Sequence, residues 1–196
     1  MQSKFYWYLI IVVFALGLYA LPPNAYAQNE EENYVSIFTV TGIGLELTKQ
    51  ALLDNDYDSA EKYSTLTNNF YGKNIQFLRT VEPQFSDNTH LELLDLHSGI
   101  LSKSKSQNLI NQINKLQENF PLISLDDDSN VTVAFILSEA DEQYQVFTKK
   151  GNSESYFFTL SLIEHSNLIL NQNPISDNRQ KQEIDSFFLD LDKFLD

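Results

Sequence analysis

Residues 45–71, LELTKQALLDNDYDSAEKYSTLTNNFY, bring two helix-period patterns together at one short acidic turn. Ahead of the turn, Ile37, Val40, Gly44, Leu47 and Ala51 recur at spacings of three and four, and Phe38, Leu45 and Leu52 widen the stripe. A helix carrying such a stripe has to bury it. The pattern predicts a helix over 34–53, although the β-branched residues and Gly42 and Gly44 in its first half leave a strand open there. After the turn, Ala60, Tyr63, Thr67, Phe70, Phe77 and Val81 keep the rhythm until Pro83 removes a backbone donor. Asp54, Asn55 and Asp56 can cap the second helix, and so short a connection makes the two helices antiparallel neighbours with Ala60 facing the first.

The rest of the chain repeats this vocabulary. Thr89 followed by Glu92 has the form of a capping box, and it predicts a third helix with Leu91, Leu94 and Leu101 as its core face and Leu93 and Ile100 beside them. Leu109, Ile113, Leu116 and Phe120 mark a fourth, stopped by Pro121. Residues 121–130, PLISLDDDSN, form a long connection or subdomain boundary. Val133, Leu137, Ala140, Tyr144 and Phe147 mark a fifth helix, closed by Lys149, Lys150 and the turn Gly151-Asn152. The sixth carries Tyr156, Leu160, Ile163 and Leu170 and is apolar around so much of its early circumference that a central position is expected. A seventh, at 176–194, carries Ile184, Phe187, Phe188, Leu191 and Phe194. The fold class is therefore all-α, an antiparallel bundle of about seven helices over 34–196. The two hairpins, at 34–81 and 131–170, have the layout of a faint internal duplication.

Residues 1–27 look like a signal peptide: Lys4, an apolar run that opens at Phe5 and closes at Leu21, and the small-x-small site Ala25-Tyr26-Ala27. A membrane anchor is the rival reading of that run. The mature chain then starts at Gln28 with an acidic, mobile lead-in over 28–33, and its location is extracytoplasmic, secreted or held at the cell surface. With no cysteine, stability rests on the core, and thiolate chemistry, disulfides and a cysteine lipid anchor are excluded. Losing Lys4 leaves 12 basic and 27 acidic residues, a mature charge of −15. Such a surface repels phosphate backbones, so nucleic acid is excluded as a partner, while cations or basic proteins fit.

Ala51, Asp56-Tyr57, Ala60, the pair Phe70 and Tyr71, and the stretch 78–83 resemble the extracytoplasmic helical domain of the high-affinity iron permease family, over about residues 44–120. The alanine, acid, tyrosine, alanine pattern is shared with tetratricopeptide-like hairpins, but Thr67 and Asn68 stand where a true repeat has small residues. Gly44-Leu45-Glu46 matches only the tail of the permease Arg-Glu-Gly-Leu-Glu motif. The resemblance implies at most an accessory domain outside the membrane, working beside an iron transport system.

Glu139 and Glu142 are similar to the acidic pair that such permeases carry, and they are the candidate metal ligands. Three apart, they neighbour each other on the helix, but away from its apolar stripe, where a solvated surface is expected. An exposed pair of this kind binds hard cations weakly and in a salt-sensitive way. Asp54, Asp56 and Asp58 have the spacing of a calcium-loop start, yet Ser59 and Thr65 occupy the positions that need glycine and glutamate, which leaves capping. His90 and His97 share a helix face without the Glu-x-x-His of a di-iron bundle, and His165 stands beside Glu164. No nucleophile elbow or phosphate loop occurs. The expectation is a non-enzymatic helical binding domain for a membrane or surface protein, with no cofactor. The alternative is a carboxylate-rich metal-dependent enzyme whose site the sequence does not display.

Overall fold

The computed structural model describes residues 30–121 and 129–172, and every element in them is an α-helix. In order these are α1 (Glu30–Leu53), α2 (Tyr57–Val81), α3 (Pro83–Leu101), α4 (Ser106–Glu118), α5 (Ser129–Lys150) and α6 (Ser153–Gln172). The leader at 1–27, most of the boundary at 121–130 and the expected seventh helix at 176–194 lie outside the described residues. The glutamates at 30, 31 and 32 are helical and lie at the N-terminal end of α1 as described. Acidic residue types are favoured at that end of a helix.

The β-branched half of α1 is helical throughout. Its threonines do not compete with the helix, because Thr39, Thr41 and Thr48 each donate to the carbonyl four residues back, at 2.9, 2.7 and 2.8 Å. That internal satisfaction lets α1 be buried nearly all round: it packs on α2, α4, α5 and α6. The central helix is therefore α1; the expectation for α6 is corrected, since α6 packs on α5, α1 and α2. At one end of the core the Phe38 ring lies 5.8 Å from Tyr71 of α2, 5.5 Å from Phe85 of α3 and 4.9 Å from Phe120 just after α4.

The acidic turn divides its labour. Asn55, at φ 59°, lets its own N–H reach Leu52 O (3.2 Å) and Asp56 N–H reach Ala51 O (2.8 Å), which closes α1 in a Schellman motif. Asp56 Oδ1 accepts from Ser59 N–H at 3.0 Å and starts α2. Along the hairpin Ala60 is fully buried, and Gly44 lies so close to Thr67 that an added Cβ would collide with its hydroxyl.

A single residue, Glu82, separates α2 from α3, and Pro83 opens α3 in its first turn. Proline is pre-set for that position and gives up only an amide without a helical partner. The capping box at Thr89 is corrected: Thr89 is buried inside α3. The face is corrected too. Leu93, Leu96 and Ile100 are buried, whereas Leu91, Leu94 and Leu101 are 65, 45 and 53% exposed. Lys103 closes α3 with the same Schellman bonds, Lys103 N–H to Ile100 O and Ser104 N–H to Gly99 O, at a left-handed φ of 52°. Tyr57 pins that turn to the start of α2 by donating to Ser104 O at 2.7 Å.

The α5–α6 hairpin turns at Gly151, φ 67°, and Asn152 Oδ1 caps α6 by accepting from Glu154 N–H at 3.0 Å. It docks on α1 and α2 through short polar contacts such as Ser36 to Thr132, 3.3 Å. Among the described residues no helix is long and apolar enough to cross a membrane.

Candidate functional site

The candidate metal pair lands on the seam between the second hairpin and α2. The buried stripe of α5 runs through Val133, Ile136, Ala140 and Gln143, turned toward Glu139 relative to the stripe expected through Leu137, Tyr144 and Phe147. This happens because α5 is held between α1 and α6 and buries two sides. Glu139 is consequently only 7% exposed, which corrects the solvated position expected for it, while Glu142 is exposed.

Lys73 of α2 serves both carboxylates. Its Nζ is 3.7 Å from Glu139 Oε2 and in direct contact with Glu142 Oε2. Gln143 Nε2 donates to Glu139 Oε1 at 2.8 Å, and Gln143 Oε1 is buried without a partner among the described residues. Burial pushes the Glu139 carboxyl above the ordinary range, against the opposing pull of Gln143 and Lys73. The chain's own ammonium thus occupies the space between the two carboxylates, and a metal ion taking those oxygens would have to displace it. As built, the cluster fastens α5 to α2.

A second clasp of the same kind lies farther along the seam. Lys62 of α2 reaches Glu154 of α6 at 2.7 Å, and Glu154 also accepts from Ser153 Oγ at 3.1 Å. Sequence reasoning passes over Lys62, Lys73, Gln143 and Glu154. The available signal is that the two lysines stand eleven residues apart, about three turns, on one face of α2.

The histidines are held apart. His97 Nδ1 lies 2.8 Å from Ser64 Oγ, and Ser64 Oγ donates its one proton to Glu61 O at 2.9 Å. The serine hydroxyl thus has both the His97 ring and the Glu61 carbonyl within hydrogen-bond distance. His90 packs its ring 5.9 Å from that of Tyr71, and His165 lies on α6 beside Glu164. Asp56 spends its carboxylate on the α2 cap, and its bond to Ser59 keeps it below the ordinary range. Among the described residues no group of three or more His, Asp or Glu side chains is placed to hold a metal ion.

What α3 presents to solvent is different in kind. Leu91, Leu94, Ser98 and Leu101 follow at spacings of three, four and three, so the exposed leucines form one stripe along the helix, opposite the buried Leu93, Leu96 and Ile100. Asp87 is bound by Arg79 at 2.7 Å, and Asp95 accepts from Gln112 of α4 at 3.1 Å. Of the residues that carry the permease resemblance, Ala51, Ala60, Phe70 and Tyr71 are core, and Tyr71 donates to Ser86 O at 3.1 Å with its hydroxyl pushed by burial up to about 12. No family model, no curated protein and no solved structure matches the chain.

Proposed function

We propose that the protein is an extracytoplasmic, non-enzymatic helical binding domain that engages a membrane or surface protein, in the manner of an accessory to an iron transport system. The observation that carries this reading is the exposed stripe of Leu91, Leu94 and Leu101 on a helix whose other face is fully packed. A contiguous apolar patch on a folded surface marks a site of association more often than chance. In the same reading residues 1–27 are a cleaved leader, 176–194 form a seventh helix, and the acidic surface gathers cations weakly without a tight stoichiometric site.

Capture from solubilised membranes tests the proposal. The parent protein should retain a partner, and Leu91→Asn with Leu94→Asn should lose it while keeping its circular dichroism and melting temperature. Undiminished capture by that variant, or turnover of any substrate by the parent, overturns the reading.

A further inference from the structure

Helix α6 is apolar on two sides, and the helices packed on it, α5, α1 and α2, cover one of them. On that side Phe158, Leu162, Ile169 and Leu170 are buried. Round the helix from them, Tyr156, Leu160 and Ile163 are only half-buried, and Phe157 and Leu168, about three turns apart on one line, are each 50% exposed. A helix apolar around most of its circumference is normally enclosed.

The chain that continues from Gln172 carries a matching need. Ile184, Phe187, Phe188, Leu191 and Phe194 form one stripe at helical spacing, and a helix with such a stripe has to bury it. Only residues 173, 174 and 175 stand between α6 and Ser176. Three residues span at most about 10 Å, roughly one helix diameter, so a helix that starts at Ser176 starts beside the end of α6. Over 176–194 it is about 28 Å long, against about 30 Å for the 20 residues of α6.

We propose that residues 176–194 run back antiparallel along α6 and cover its outer face. This rests on the seventh helix of the functional reading above and gives that helix its place. With Ser176 level with Gln172, Leu191 comes level with Phe157, and Phe188 with Leu160. Charge agrees with this direction. Lys181 comes within a turn of Glu164, and Asp192 and Asp196 come to the end of the hairpin where Lys149 and Lys150 are exposed. The leucine stripe of α3 belongs to a helix that packs on α2 and α4, so covering it would need a longer connection than three residues. With the outer face of α6 taken by the chain itself, the α3 stripe is left for a partner.

The chain has no cysteine, so a disulfide between two introduced thiols reports their proximity without competition. In the full chain as cells produce it, Phe157→Cys with Leu191→Cys should close within one molecule on mild oxidation in dilute solution. It should do so at least about tenfold faster than Leu94→Cys with Leu191→Cys, because a docked segment holds its thiol at a high effective concentration. Adding Phe187→Pro should lower the helical circular dichroism and remove the preference. Equal rates for the two pairs, faster closure at Leu94, or disulfides formed only between molecules overturn the proposal. A helical signal unchanged by Phe187→Pro overturns the seventh helix and its placement together. A signal that falls while the Phe157 pair shows no preference overturns the placement alone. The α3 surface is judged separately, by capture from membranes.

Discussion

Burial alone would raise the Glu154 carboxyl, but Lys62, its own backbone N–H and the Ser153 hydroxyl together hold it below the ordinary range. At Glu139 burial prevails, with Glu142 adding to it, and the carboxyl ends above that range. The two glutamates therefore respond to acid with opposite signs. A lowered group contributes stability that is present at neutral pH and lost as the pH falls through its folded value; a raised one binds its proton more tightly in the folded state, so stability falls as the pH climbs out of the ordinary glutamate range. Glu154→Gln should cost about 1–3 kcal/mol at neutral pH, with the gap to the parent closing in acid. For Glu139→Gln the parent should instead gain on the variant as the pH falls. Urea midpoints collected from about pH 7 down to 4 read both, and gaps that move in the same direction would refute the contrast. Lys103 offers a simpler test. A side chain held at φ 52° is disfavoured, so Lys103→Gly should raise stability by roughly 0.5–1 kcal/mol in thermal unfolding, whereas Asn55, a residue type that tolerates this region, should gain less from the same change.

Between α1 and α2 the contact of Gly44 with Thr67 sets how closely the helices approach. Thr67 cannot turn its hydroxyl away freely, because it donates to Tyr63 O at 2.8 Å. Gly44→Ala gains helix propensity worth about 1 kcal/mol yet overpacks the contact by about 1–3 kcal/mol, so a net loss is expected. Adding Thr67→Ala should return most of it, and a double-mutant cycle without coupling would show the approach to be loose. This hairpin was legible from residues alone, because its stripe, its caps and its turn all indicate one arrangement. The faces of α3, α5 and α6 were not. On α3 two leucine stripes share helical spacing, and choosing between them depends on which neighbours arrive from elsewhere in the chain. On α5 and α6 the buried positions include Glu139, Gln143, Ser155, Thr159 and Ser166, polar types that an apolar pattern assigns to solvent. Pro83 misleads in the same way, ending one helix and opening the next with a single residue between. The candidate metal pair was visible as two acids, but Lys73, which decides what they do, comes from a different element.

Across the molecule, α1 ties the four-helix group α1–α4 to the second hairpin, and the lysines of α2 clasp that hairpin from the side. Phe38 shows how far one α1 side chain reaches, since its ring meets partners from α2, from α3 and from the end of α4. Phe38→Ala should cost about 3–5 kcal/mol. It should also lower one shared unfolding transition, because the buried residues among those described form one cluster that includes α1. Calorimetry resolving two transitions in the parent would show the second hairpin to be an independent unit. The position of α1 also sets the order of events during synthesis. It is the first of these helices to leave the ribosome, and α6, one of the neighbours that cover it, is the last. Until Gln172 has been made, α1 lacks the side that α6 covers. A chain stalled before that point exposes apolar surface of the kind from which aggregation starts.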